Sequence, residues 1–314
     1  MSWQPGASLS VLRARARLRQ QVRDFFAERG VLEVDTPVLG RYGVSEPAID
    51  SIAASAPGIE GVLQTSPEYF MKRLLAAGSG PIYQMGPVFR AGEAGRRHNP
   101  EFTMVEWYRP GFSIEALMQE VAALVQSALG IATPVVRQYR ELLCAHAGVD
   151  PWMDDDATIR ARASDVSGLD PDRLDRGEAL DVLVSHEVEP VLAGEEAVFV
   201  RGYPPDQAAL AVVAREGGVE VAQRFELYVR GVELCNGYRE LTDAGEQRAR
   251  FERDNQYRRR QGKPEMRPDP GLLAALEAGL PPCSGVALGL DRLLMLQTGV
   301  ASLDEVLPFS AERL

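Results

Sequence analysis

The spacing of apolar positions divides the chain into helical and extended stretches. Ser8 or Ser10 opens a helix predicted to run to about Arg29, with Leu18, Val22, Phe25 and Phe26 on one face and Gly30 at its end. Residues 31–34 read as a short strand that Pro37 ends. Thr65-Ser66-Pro67-Glu68 reads as a helix start with Pro at the first helical position, and Gly78 closes that helix. Residues 82–90 and 101–109 are predicted strands joined by a polar, Gly-containing loop. Ser113 caps an amphipathic helix (Leu117, Val121, Leu124, Val125, Leu129) that Gly130 stops.

The pattern then weakens. Residues 131–195 are acidic in places (Asp154, Asp155, Asp156), and short helices forming a helical insertion are expected there. Residues 197–200, 223–229 and 232–241 read as strands. Arg230-Gly231 between the last two is a two-residue hairpin signal. Asp243 and Glu246 have capping-box spacing at the start of a long polar helix. Residues 283–288 form a strand, and Gly289 leads into a helix from about Asp291 to Gln297. Hairpins outnumber strand–helix alternations, so the predicted fold class is α+β, an antiparallel sheet flanked by helices.

Composition narrows the functional classes. The chain has 314 residues, 45% hydrophobic and 25% charged, which suits a globular protein with a large core. No apolar run approaches the ~20 residues of a membrane span. The first thirty residues carry six Arg and no apolar block, unlike a secretory leader. Three scattered Cys and three scattered His make a disulfide framework or a zinc cluster a poor fit, and a reducing cytoplasm the expected location. Net charge is −11. Six Arg against Asp24 and Glu28 leave +4 on residues 1–30 and −15 on the remainder. The basic stretch fits either an acidic partner or, more commonly, a solvated helix face.

Three segments hold candidate chemistry. In the hairpin, an uninterrupted ladder pairs Val229 with Val232, Tyr228 with Glu233 and Glu226 with Cys235. Glu226 and Glu233 then share a face roughly 7–8 Å apart at Cα. A hard divalent cation between them would relieve their repulsion; Arg224 or Arg239 would do the same on a solvent-facing strand. Second, Phe89-Arg90 precedes a loop and His98-Asn99-Pro100-Glu101-Phe102, with Phe102, Met104, Glu106 and Tyr108 alternating onto one strand face. This suits a stacked base and a held phosphate, or simple packing. Third, Gly285 to Arg292 (GVALGLDR) is a strand ending in Gly before a helix, where backbone approaches a ligand closely.

In this order, the segments resemble the signature motifs of class II aminoacyl-tRNA synthetases, with residues 34–37 as the first. Thr65-Ser66-Pro67-Glu68, RRHNPEFTMVEWY over 96–108 and Glu233-Leu-Cys-Asn-Gly-Tyr-Arg-Glu-Leu241 are similar to the lysyl-tRNA synthetase subgroup. The resemblance spans about 8–314 as one catalytic domain and leaves no room for a preceding anticodon-binding domain. With WYRP and GVALGLDR, it points to the stand-alone paralogues that attach (R)-β-lysine to a lysine of elongation factor P.

The resemblance implies ATP and Mg²⁺ as cofactors, elongation factor P and (R)-β-lysine as partners, and a homodimer; no membrane association is expected, and the missing domain and the net charge disfavour tRNA. It implies that Arg90 holds the α-phosphate and substrate carboxylate, and that Phe102 and Arg292 sandwich adenine, Arg292 also reaching the γ-phosphate. Asn99 would read adenine and His98 a phosphate, with Leu234 and Gly289 also at the ATP. Glu226 and Glu233 would bind Mg²⁺, Glu233 being counted with the ATP as well. Glu240, Glu106 and Tyr108 would meet the side-chain ammonium, Ser66 and Glu68 the other amine, and Asn236 the carboxylate. Ser66 and Glu68 equally suit helix capping. Two positions depart from the synthetase pattern: Gly92, with Glu93 one step on, where Glu is usual, and Ala287 where Gly is usual. The competing readings are a truncated lysyl-tRNA synthetase acting on tRNA and a non-catalytic amino-acid-binding regulator.

Overall fold

The computed structural model describes residues 3–314. In chain order its elements are α1 (Leu9–Ala27), β1 (Leu32–Glu33), β2 (Leu39–Gly40), β3 (Ile52–Ala56), β4 (Ile59–Leu63), α2 (Glu68–Ala76), β5 (Ile82–Phe89), β6 (Glu101–Pro110) and α3 (Ile114–Leu129). There follow β7 (Val135–Gln138), the helices α4 (Tyr139–Leu142), α5 (Asp156–Ser167), α6 (Arg176–Leu183) and α7 (Glu189–Leu192), then β8 (Ala197–Tyr203), β9 (Val213–Glu216), β10 (Val219–Val229) and β11 (Val232–Arg239). The chain ends with α8 (Ala244–Arg260), α9 (Pro270–Gly279), β12 (Cys283–Gly289) and α10 (Leu290–Thr298). They group into two compact units: the residues up to Ser113 with Ser127–Leu129 and Leu241–Leu314, and Ile114–Gln126 with Gly130–Glu240.

In the first unit the strands run β1-β5-β6-β12, with β1 parallel to β5 and the other neighbours antiparallel. Of the two serines that could open α1, Ser8 is the cap, accepting from the Val11 amide. The helix lays Phe26 on the sheet, stacked on Tyr83 at 4.3 Å and edge-on to Trp107 at 5.3 Å. Tyr83 and Trp107 are register partners, so they share this packed face. The opposite face carries the rows Gln84–Glu106–Ala287 and Gly86–Met104–Gly289. A separate three-stranded sheet, β2-β4-β3, and the helix α9 had no predicted counterparts. The two five-residue strands β3 and β4 bury no residue fully, so they lack the apolar alternation that announces a strand.

In the second unit the strands run β11-β10-β8-β7, with β9 beside the start of β10. Between β7 and β8 the chain is helical. Leu143, Ile159, Ala179, Leu180 and Leu183 are buried there with Val198 and Val200 of β8 and Tyr228 of β10. Asp175 and Glu178 form a reciprocal capping box at α6. The hairpin turns at Arg230 (φ 50) and Gly231 (φ 70). Two consecutive positive φ values give the tight turn whose twist matches paired strands.

The structure corrects the hairpin register. Tyr228 pairs with Glu233, but a bulge then shifts the ladder by one, so Leu227 pairs with Cys235 and Glu226 with Asn236 rather than with Cys235. Leu234 is the extra residue of β11. The helix start at 65–68 is also displaced: Pro67 occupies the cap position and α2 begins at Glu68.

Candidate active site

The face of the first unit's sheet opposite α1 forms a trough of buried side chains, with Gln84, Met104 and Glu106 at most 8% exposed. Gly86 and Gly289 flank Met104. A Cβ added at Gly86 would meet Gln84 Nε2 at 3.6 Å, and one at Gly289 would come no nearer than 3.8 Å to its closest neighbour, the Arg292 side chain. The backbone of both strands is therefore bare of side chain at these two positions. Glu106, 2% exposed, stands in the middle of the trough. Its Oε2 accepts from Ser66 Oγ at 2.7 Å and its Oε1 from Tyr108 Oη at 2.6 Å. Ser66 Oγ also accepts from the Glu68 amide at 3.0 Å, so one hydroxyl satisfies the first amide of α2 and holds Glu106 at once. Glu68 is paired at 2.6 Å with Lys72, itself 1% exposed. A buried ammonium persists only beside such a partner, and this pair anchors the carboxylate. Four predicted amine-binding residues are thus brought together, with Ala287 directly opposite Glu106 on β12.

Arg90 follows β5, its guanidinium 5.2 Å from the Phe102 ring centre and 3.3 Å from Glu93 Oε1. Its Nε is buried without a hydrogen bond. An orphaned cationic donor suits an incoming anion. The loop turns tightly through Gly95 and His98, which bridge each other. Arg292 Nη2 lies 2.8 Å from His98 Nε2, and its Nε reaches the Arg97 carbonyl at 3.3 Å. Since guanidinium only donates, His98 Nε2 accepts and the ring proton sits on Nδ1. Burial first, then the Arg292 charge, hold the His98 imidazole below its ordinary value. Asn99 is 8% exposed; its Nδ2 donates to the Glu101 carbonyl at 2.6 Å and its Oδ1 accepts from the Ala311 amide at 2.9 Å.

The remaining candidates lie in the second unit, where Glu226 and Glu233 line a cavity of ≈ 410 Å³ with Arg224, Tyr203 and Tyr228 among others. Because paired residues share a face, Glu226, Glu233 and Asn236 all project from one side of the hairpin. Without the bulge Asn236 would have faced away. Glu226 Oε2 accepts from Tyr203 and Tyr228, both at 2.7 Å, and Oε1 from Arg224 at 2.5 Å. Burial, then the Glu226 charge, push both phenols well above their ordinary value, so they remain donors. Arg224 also donates to Asn236 Oδ1 at 3.2 Å. Among the described residues, no cluster of three or more His, Cys, Asp or Glu could hold a metal. The two facing carboxylates fit a hard cation that takes its other ligands from phosphate and water, provided Arg224 moves off Oε1. Leu234 has a buried side chain, so only its main chain is available to a ligand. Glu240 is 2% exposed, and one of its two oxygens, Oε2, is a buried acceptor without a hydrogen bond.

A family model described as tRNA synthetases class II (D, K and N) matches residues 4–313. The chain belongs to this class II synthetase family. The family match is accompanied by close similarity to curated relatives. The chain is 47% identical to a protein of Edwardsiella ictaluri, 46% to one of Proteus mirabilis and 45% to one of Pasteurella multocida. Each alignment covers 99% of this chain and 98% of the relative. All three relatives are named elongation factor P–(R)-β-lysine ligase. The family's expected α+β fold agrees with the observed architecture. Among the described residues, no helix is long and apolar enough to cross a membrane.

Sequence reasoning missed Lys72 and Tyr203, and treated Arg224 only as an alternative partner of Glu226. Lys72 had a legible signal, the i, i+4 spacing to Glu68. Tyr203 had none, since it reaches Glu226 from a neighbouring strand.

Proposed function

We propose that the chain activates (R)-β-lysine with ATP and transfers it to the ε-amine of a lysine of elongation factor P. The substrate carboxylate attacks the α-phosphorus in line and pyrophosphate leaves. The acceptor amine then attacks the acyl carbonyl of the adenylate, AMP departs, and an amide forms. Positioning and charge neutralisation carry both steps, with no covalent enzyme nucleophile. The observation that carries this reading is the trough in which Ser66 and Tyr108 aim Glu106 over a backbone floor that keeps Gly86 and Gly289 bare.

In this reading Arg90 meets the reacting phosphate and carboxylate, and Phe102 and Arg292 hold adenine, with His98, Asn99 and Gly289 beside them. Ser66, Glu68, Glu106 and Tyr108 receive the amines. Glu240 would receive an amine, Asn236 the carboxylate, and Leu234 and Glu233 would meet ATP. Glu226 and Glu233 would hold Mg²⁺, which when bound neutralises charge on the polyphosphate. The relatives' names and the net charge of −11 favour a protein acceptor over tRNA.

The test is mass spectrometry of elongation factor P incubated with this protein, ATP and candidate amino acids. The expected result is a mass gain of one lysyl residue with (R)-β-lysine. Charging of tRNA instead, or no amino-acid-dependent ATP–pyrophosphate exchange at all, would overturn the reading.

A further inference from the structure

The row Gln84–Glu106–Ala287 crosses the centre of the trough. Glu106 in that row is satisfied within the chain, each oxygen holding a hydroxyl donor. Gln84 is not. The residue is 8% exposed, and its Oε1 is buried with no hydrogen-bond partner. A buried amide oxygen in this state carries its full desolvation penalty. The amide leans along β5, so that its Nε2 lies 3.6 Å from where a Gly86 Cβ would be. Gly86 lies on the Arg90 side of Gln84, because β5 runs from Ile82 to Phe89 with Arg90 next. The Gln84 side chain, with its unsatisfied oxygen, is therefore a row-mate of Glu106 whose amide reaches toward the end of the strand that carries Arg90.

We propose that Gln84 is a specificity-determining residue whose Oε1 accepts a hydrogen bond from the substrate ammonium nearest the carboxylate. This rests on the reading of the trough as the aminoacyl pocket. A 3,6-diaminohexanoate places one ammonium near its carboxylate and one at the far end. Glu106 and Tyr108 suit the far one. Gln84, a row-mate displaced toward Arg90, suits the near one together with Ser66 and Glu68, and a neutral acceptor adds no third carboxylate beside Glu68 and Glu106.

The experiment compares wild type with Gln84→Leu, which keeps a side chain of similar bulk and removes the acceptor. One arm measures kcat/KM for exchange with (R)-3,6-diaminohexanoate. A second measures inhibition by 6-aminohexanoate, which lacks the near amine. A third measures thermal stability without ligand. The expected loss in the first arm is roughly 10- to 150-fold, the worth of one hydrogen bond to a charged group. The inhibition constant of 6-aminohexanoate should stay within about twofold. The ligand-free variant should melt no lower than wild type, because an unsatisfied buried amide has been replaced by an apolar group. Gln84→Met provides the same comparison if the branched side chain disturbs the strand. Gln84→Glu, which restores an acceptor, should recover part of the loss. A Leu variant with wild-type kcat/KM, or one equally impaired toward both compounds, overturns the inference while leaving the pocket assignment standing. Absence of diamino-acid-dependent exchange in wild type removes both.

Discussion

Arg15 of α1 and Asp291 of α10, 276 positions apart, meet at 2.5 Å. Asp291 is 2% exposed and also accepts from the Thr103 amide at 2.7 Å, while a second Arg15 nitrogen reaches Thr103 Oγ1 at 2.6 Å. The three residues tie the first helix to β6, the strand that presents Phe102 and Glu106. They also fix the first turn of α10, where Arg292 follows Asp291. The basic N-terminal stretch is therefore not one surface. Arg15 is internal, Arg23 pairs with Glu33, and Arg29 folds back onto the Phe25 ring and carbonyl. Arg13 and Arg17 remain exposed.

Arg15→Ala leaves Asp291 as a buried charge without its cation, at a cost of about 3 kcal/mol or more. Chemical denaturation should show this loss, and a shift of under ~0.5 kcal/mol for Arg13→Glu with Arg17→Glu, as at ordinary surface sites. The double reversal should leave amino-acid-dependent exchange intact and slow transfer to the acceptor protein, most clearly at low salt. Unchanged transfer at low salt would assign the exposed pair to solvation alone.

Glu226→Gln and Glu233→Gln should each depress adenylate formation and raise the Mg²⁺ concentration needed for half-maximal exchange. Tyr203→Phe is the informative companion. It removes one hydrogen bond to Glu226 without touching charge, at a cost of about 1 kcal/mol in stability, and should leave the Mg²⁺ requirement close to wild type. Equal Mg²⁺ dependence in all three variants would argue that Glu226 only anchors Arg224 and the two tyrosines.

Ala287 stands opposite Glu106 on the trough face. Moving an amine from Cα to Cβ shifts an ammonium by about one bond, and a methyl there discriminates by shape, worth roughly 1–3 kcal/mol or about 10–200-fold. Ala287→Gly should raise kcat/KM for α-lysine relative to β-lysine without altering the ATP requirement. A ratio unchanged within about twofold would place the choice elsewhere, with Tyr238 and Cys235 the next positions to vary.

His98 should titrate below its ordinary value of 6.5. Its folded-state value is depressed, so the neutral ring contributes stability above 6.5, and that contribution is lost as pH falls from 6.5 toward the folded value. Proton NMR of the ring should show the low midpoint, and Arg292→Ala should move it upward by removing one neighbouring cation. A wild-type midpoint at or above 6.5 would contradict the burial and the Arg292 contact that set it.

Local chemistry alone determined a good part of this protein. Period-3.6 apolar spacing and the Ser8 cap placed α1, the Arg230-Gly231 pair placed the hairpin turn, and Asp243 placed the start of α8, because each depends on neighbours within a few residues. The motif residues were legible for the same reason, being contiguous in the chain. Tertiary structure decided what those residues face. The one-residue bulge at Leu234 turned Asn236 onto the face of Glu226, and a ladder's register is set by pairing along two strands rather than by either strand's pattern. Arg15 was indistinguishable from Arg13 until Asp291 arrived from the other end of the chain. Gln84 reads as one polar residue in a strand, and only burial beside a satisfied Glu106 makes its oxygen an open acceptor. A buried polar group is defined by partners distant in sequence, so its role emerges when the strands and helices pack.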